Sequence, residues 1–386
     1  MITHYKECAK CILDTSDDPL ISFDDTGVCN HCRAYQQMVA EYVFKGEEGK
    51  KRLNEIVEKI KIVGKNQEYD CIIGLSGGVD SSYVAYYVVK KLGLRPLVIH
   101  FDNGWNSELA VKNIENIVKK LNIDLYTYVV NWEEFKDIQL SLIKASVVDI
   151  EMVTDHAIIA VTNELARKNG IKYIISGGNL ATESWSFPKH WIHDKHDWLN
   201  IKSIHKQFGT VKIKTFPHFS FLKKFYYYTI LKIETIEILN YLDFNKAEAK
   251  ELLKREYDWK DYGGKHYESI FTKFYQSYIL PVKFKIDKRK QHLSSMIGSG
   301  QLTREAAKQE MGKVLNDDNQ LRGDKEYVIK KLGLTADEFE KLMLLPVKKH
   351  TDYPNYSKYY EFVTFLYKKF KPLIKMVRVF IPKKKH

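Results

Sequence analysis

The chain holds 386 residues, 61 Lys and Arg against 49 Asp and Glu, 13% aromatic side chains and five cysteines. That length is enough for two domains and a small module, and no apolar run reaches the roughly 20 residues of a membrane span. Nothing after Met1 resembles a secretory signal, so the expected location is the cytoplasm, where thiols stay reduced.

The first candidate element is a module over 1–37. Cys8 and Cys11 are two residues apart, and Cys29 and Cys32 repeat the spacing after 17 intervening residues. Two such knuckles fit tetrahedral coordination of Zn²⁺ by four thiolates, with an iron–sulfur cluster as the competing occupant. Four thiolates fill the sphere, which makes a structural site. A charged, helix-like linker over 38–68 follows.

An α/β domain is expected over 69–230. Cys71-Ile72-Ile73 reads as a short buried strand, and it enters Gly74-Leu75-Ser76-Gly77-Gly78-Val79-Asp80-Ser81-Ser82, which opens into a helix. Strand, glycine turn and helix N-terminus together present backbone N–H groups and a positive dipole end to an anion. Strands at 95–101, 124–130 and 172–176 alternate with helices at 108–121, 132–145 and 155–168. The alternation predicts a parallel sheet covered on both faces, with ligands at the carboxyl ends of its strands. Three strand ends then carry candidates: the glycine turn, Asp102 or Asn103, and Ser176-Gly177-Gly178-Asn179 with Glu183.

The segment 184–230 is aromatic and irregular and reads as a pocket wall or lid, with Trp185 and Phe187 among its rings. His190, His193 and His196 lack a helical or cysteine context for metal binding. Beyond 231 a helical substrate or partner region extends to 345. The last segment, 346–386, has eleven Lys or Arg against Asp352 and Glu361, so the rest of the chain carries only +3 of the formal +12. A near-neutral body argues against nucleic acid as the partner. The tail reads as a packed terminal helix with solvated lysines, or as a contact with an anionic membrane surface.

The string Ser76-Gly77-Gly78-Val79-Asp80-Ser81 resembles the PP-loop of ATP pyrophosphatases, the adenine nucleotide α-hydrolase-like fold. The resemblance implies ATP bound by Gly74, Ser76, Gly77, Gly78, Asp80, Ser81 and Ser82, with Asp102, Gly178, Asn179 and Glu183 at the nucleotide–Mg²⁺ site. The cysteine pairs, this loop, Gly264-Lys265-His266-Tyr267-Glu268-Ser269, Lys285-Ile286-Asp287-Lys288-Arg289 and the segment from His292 to Glu305 together resemble the N-acetyl sugar amidotransferases of bacterial surface-glycan synthesis. That resemblance covers about 5–315. It implies conversion of an acetamido group to an acetamidino group on a nucleotide-activated N-acetyl sugar, in O-antigen or nonulosonic acid synthesis. ATP, Mg²⁺ and Zn²⁺ are the implied cofactors. Asp80, Lys265, His266, Glu268, Lys285 and Arg289 become catalytic candidates: the cations for anionic substrate, His266 and Glu268 for the ammonia proton.

After the four paired cysteines only Cys71 remains, inside an apolar strand, so no glutaminase nucleophile is present. A separate glutaminase is implied, paired as in imidazole-glycerol-phosphate synthase. The competing reading is a tRNA-modifying PP-loop enzyme, a thiolase or a lysidine-type ligase.

Overall fold

A computed structural model describes residues 5–183, 188–264, 267–314 and 317–369. Five parallel strands form one sheet: β1 (Cys71–Gly74), β2 (Pro96–Asp102), β3 (Asp124–Val129), β4 (Tyr173–Ser176) and β5 (Glu234–Glu237), ordered β3-β2-β1-β4-β5. The register pairs Ile73 with Val98 on one side of β1 and with Ile175 on the other.

Alternation along the strands sorts the core. Ile73, Val98 and Ile175 face Val57, Val84 and Ile114, whereas Ile72, Leu97 and Ile174 face Val161 and Leu165. Both faces are therefore dry, as a doubly wound sheet requires. The chain adds β2 and β3 outward on one side of β1, then crosses back to add β4 and β5 on the other. This reversal opens a crevice between the carboxyl ends of β1 and β4.

Four strands and three helices fall where their sequence periodicity places them. β5 does not: it lies beyond residue 230, inside the segment expected to be helical, so the sheet extends past that boundary. Only Ile236 of its four residues is buried, which leaves almost no apolar signal. The segment read as irregular contains the helix Trp198–Phe208 and a second helix from Phe221. Trp185 and Phe187 lie outside the described residues.

The C-terminal helices pack around Trp105, Phe135, Phe271, Phe274 and Phe339. The expected tail is in part integral to this body: Lys348 N–H donates to the Ser146 carbonyl at 3.0 Å, and His350 and Tyr353 are buried. No described helix is long and apolar enough to cross a membrane.

Candidate functional site

Gly77 adopts φ +81°, and a Cβ there would lie 2.5 Å from the Ala110 carbonyl oxygen, so only glycine fits. The turn is gripped from behind. The Trp259 indole N–H donates to the Gly77 carbonyl at 2.8 Å, and Asn113 Nδ2 approaches the same oxygen at 3.4 Å. Asn113 also exchanges two hydrogen bonds with the Lys260 backbone, both 2.9 Å. Within the turn, Ser76 Oγ accepts from the Gly78 N–H at 3.2 Å and lies 3.2 Å from Ser81 Oγ. The donors that would meet phosphate oxygens thus form one network at the N-terminus of the helix Val79–Tyr86, whose N-cap is Gly78.

The loop after β4 closes the other wall. A Cβ on Gly177 would lie 3.2 Å from the Ser81 backbone nitrogen, and one on Gly178 would lie 3.2 Å from Glu237 Oε1. Asn179 is fully buried and works for its own loop: its Oδ1 accepts from the Thr182 N–H at 2.8 Å and its Nδ2 donates to the Gly177 carbonyl at 3.2 Å. Glu183 N–H bonds the Asn179 carbonyl at 3.1 Å at the end of the same loop. Asp102 likewise braces its turn, accepting from Gly104 N–H at 2.8 Å and Asn106 Nδ2 at 3.1 Å. Asn103 is buried and tied to Thr154 at 3.1 Å.

Carboxylates gather over the turn. A Cβ on Gly78 would meet Tyr262 Oη at 3.1 Å and Glu268 Oε1 at 3.6 Å. Burial, then Glu268 and Asp80, push the Tyr262 phenol far above its usual range, which places both carboxylates around one hydroxyl. Lys246 Nζ lies 3.9 Å from Asp80 Oδ2. Asp80 and Glu268 thereby border the phosphate turn and Glu237 borders the facing β4 loop; carboxylate oxygens are the ligand type a hard cation takes, but the three do not converge on one point. Ser107 N–H donates to the Glu268 carbonyl at 2.8 Å, which fixes the entering strand of the C-terminal region against the β2 loop.

Several expectations are redistributed. Ser82 is completely buried in the helix. Gly74 has open space around its Cβ position, so its lack of a side chain is not a steric requirement. Arg289 is engaged by its own surroundings. Its guanidinium binds Asp287 at 2.7 Å and the Lys313 carbonyl at 2.7 Å, locking the end of the helix Arg304–Gly312. Lys285 is exposed and donates to the Val282 carbonyl at 2.9 Å, capping its own segment. Lys265 and His266 lie outside the described residues. Tyr262, Glu237, Lys246 and Trp259 were missed. Only Asn113, a polar residue on the buried stripe of an amphipathic helix, left a readable sign.

The four cysteine sulfurs lie within 4.8 Å of one another, with 3.9 Å between Cys8 and Cys32 and 3.7 Å between Cys11 and Cys29. Bonds of about 2.3 Å to one tetrahedral ion put sulfurs about 3.8 Å apart, so the cluster fits a single metal. Backbone N–H groups of Lys10, Cys11 and Cys29 point at Cys8 Sγ at 3.3–3.4 Å, supporting a thiolate. Among the described residues no second group has metal-site geometry: His193 binds Asp197 at 2.9 Å and stacks on His350, and His196 pairs with Asp194.

The module is clasped by the C-terminal region. Arg304 binds Glu7 and the Cys8 and Cys11 carbonyls, and Lys290 bridges Asp14 and Asp17 at 2.7 and 2.8 Å. Tyr35 Oη reaches the Leu180 carbonyl at 2.7 Å, joining the metal module to the β4 loop.

Residues 67–184 match the family model of the thiamine biosynthesis protein ThiI. Residues 268–368 match the C-terminal domain of WbpG-like LPS biosynthesis proteins, a match that runs well into the basic segment 346–386. No curated protein matches the chain. Among solved structures, the NH3-dependent NAD synthetase from Campylobacter jejuni is 15% identical with a TM-score of 0.26, over 38% of this chain and 58% of that one. NMN synthetase from Francisella tularensis is 14% identical with a TM-score of 0.27, over 63% of this chain and 90% of its own.

Proposed function

We propose that this chain, a PP-loop ATP pyrophosphatase with a WbpG-like C-terminal domain, is an ATP-dependent amidotransferase acting on the N-acetyl group of a nucleotide-activated sugar in surface-polysaccharide synthesis. The observation that carries this reading is the position of Glu268. It is the first residue of the WbpG-like match, and its carboxylate stands over Gly78 of the phosphate turn. The domain with the glycan-synthesis likeness thus supplies part of the ATP site.

The chemistry follows from the weakness of an amide as an electrophile. The acetamido oxygen attacks the α-phosphorus of ATP, the bond to pyrophosphate breaks, and an O-adenylyl imidate forms. Ammonia then attacks the imidate carbon, a proton leaves the nitrogen, and the carbon–oxygen bond breaks to release AMP and the amidine. The chain's contribution is positioning and charge neutralisation. Backbone N–H groups of Gly77 and Gly78 and the hydroxyls of Ser76 and Ser81 hold departing phosphate oxygens. Asp80 and Glu268 would hold Mg²⁺, which supplies charge neutralisation on the phosphates. Glu268 is also placed to accept the ammonia proton, and Zn²⁺ is the proposed occupant of the cysteine cluster. Ammonia comes from a separate glutaminase, and the reaction belongs in the cytoplasm where nucleotide sugars are made.

Sulfur transfer, the thiolase form of the competing reading, is the second candidate. It requires an accessible thiol, whereas four cysteines converge on one site and Cys71 is fully buried, its thiol pushed up by burial. The deciding assay is AMP and pyrophosphate release with ATP, Mg²⁺ and ammonium across a panel of nucleotide-linked N-acetyl sugars, with bulk tRNA in parallel. Sugar-dependent AMP, with a product about one mass unit lighter because NH replaces oxygen, supports amidine formation. AMP formed only with tRNA overturns it.

A further inference from the structure

The helix Ser357–Lys369 has two unlike sides. Tyr360 is buried, its ring 6.2 Å from Phe221 and its hydroxyl 3.4 Å from Lys224 Nζ. On the other side Tyr359 is 57% exposed and Phe362, one turn further, is 61% exposed. A terminal helix that merely packed on the body would turn these rings inward and its lysines outward. The neighbouring helical segment that begins at Phe221 repeats the pattern: Leu222, Tyr226 and Ile230, spaced by four and so on one side, are 78%, 41% and 53% exposed. The Phe221 ring lies 5.8 Å from that of Tyr356 in a tilted contact, so the two helices are neighbours and each leaves an apolar stripe in water.

Positive charge predominates around these stripes, with Glu361 the one acid on the helix Ser357–Lys369. Residues 221–232 carry Lys223, Lys224 and Lys232 and no acid. Lys358 is exposed beside Tyr359. Residues 370–386, outside the described residues, carry Lys371, Lys375, Arg378, Lys383, Lys384 and Lys385, again without an acid, among Phe370, Leu373, Ile374, Val377 and Phe380. Aromatic and aliphatic side chains exposed among lysines have the composition of an interfacial anchor: rings settle at headgroup depth while lysine stems let the ammonium groups reach lipid phosphates. Binding of this kind takes two signals, an apolar insertion and a basic cluster, and both are present.

We propose that the exposed faces of Ser357–Lys369 and of the segment 221–230 dock the protein on an anionic lipid bilayer. No helix inserts across it; the protein lies on the surface.

The test is flotation of the full-length protein with vesicles of phosphatidylcholine alone and of phosphatidylcholine mixed with phosphatidylglycerol. The expected result is binding to the anionic vesicles at least about tenfold stronger than to neutral ones, and weakened by high salt. Phe362→Glu with Leu222→Glu, and separately Lys223→Glu with Lys232→Glu and Lys358→Glu, should each reduce binding about tenfold. Both substitution sets leave ATP turnover unchanged, because none of these residues touches the phosphate turn, and circular dichroism checks folding. Absence of binding to anionic vesicles overturns the proposal, as does binding that survives both sets. Concentration-dependent self-association lost in the Phe362→Glu variant, without vesicle binding, overturns it in favour of a second copy of the chain.

Discussion

The Trp259 indole N–H donates to the carbonyl of Gly77 at 2.8 Å, across 182 residues of sequence and with both groups buried. The tightest turn of the nucleotide site is therefore held by a side chain from the segment that leads into the C-terminal region. Trp259→Phe keeps the ring and removes the donor, leaving the Gly77 oxygen only Asn113 at 3.4 Å. The expected cost is about 1–3 kcal/mol of stability, read as a lower urea midpoint, with a weaker apparent affinity for ATP. If both stay at the wild-type value, the bond does not hold the turn.

Gly77→Ala should be more severe at the site than in the body. The new methyl would sit 2.5 Å from a backbone oxygen of Ala110, in a left-handed conformation that costs a non-glycine residue about 1–2 kcal/mol before any clash. AMP release should vanish while metal content of the cysteine cluster is retained. An active variant would mean that the turn changes shape when it binds phosphate.

Glu268 and Arg289 separate chemistry from scaffolding. Glu268→Gln and Asp80→Asn alter carboxylates bordering the phosphate turn and should abolish AMP formation with little change in melting temperature. Arg289→Met removes the clamp on Asp287 and on the Glu310 and Lys313 carbonyls. It should lower the melting temperature and leave kcat nearly unchanged at permissive temperature. The opposite pattern would give Arg289 a direct part in the reaction.

Metal removal should be felt in the β4 loop. Cys29 caps the helix Asn30–Tyr42, and Tyr35 on that helix binds the Leu180 carbonyl. Chelation is expected to accelerate amide exchange around 180–183, and Tyr35→Phe should reproduce that effect with the metal still bound. Exchange changes confined to the first 40 or so residues would limit the metal to a local role.

Two buried histidines predict acid sensitivity. His156 donates from Nδ1 to the Lys195 carbonyl at 2.8 Å and accepts the Phe219 N–H at Nε2, 2.9 Å. His350 pairs through Nδ1 with Asn200 at 2.7 Å and accepts the Asp149 N–H at 3.2 Å. Both are neutral by geometry, and burial pulls His156 down to about 4 and His350 to about 3. The unfolded chain takes up these protons near pH 6.5, so their contribution is whole above that pH and is lost as pH falls toward 4 and 3. The loss is on the order of 3 kcal/mol for His156 and on the order of 5 kcal/mol for His350. Urea midpoints at pH 7.5, 5.5 and 4.5 should fall in that order, and His156→Gln should flatten the slope; equal midpoints would contradict the assignment.

The sequence by itself determined the metal module, the phosphate turn and four of the five strands, because each rests on local rules. Cys-x-x-Cys spacing fixes sulfur geometry, glycines mark a positive φ, and continuous apolar runs announce a strand buried on both faces. It also marked Glu268 as a candidate through its neighbours in the chain. The tertiary structure alone decided what those residues do. β5 is polar because it lies at the sheet edge, so its place came from pairing with β4 and not from hydrophobicity. Arg289 looks like an anion-binding cation in sequence, yet a carboxylate two residues away and two carbonyls at a helix end consume its donors. Trp259, Tyr262 and Glu237 reach the site from beyond residue 230, through packing that no short-range pattern encodes. A charge or ring acquires its role from the atoms beside it, and for these residues those atoms come from distant parts of the chain.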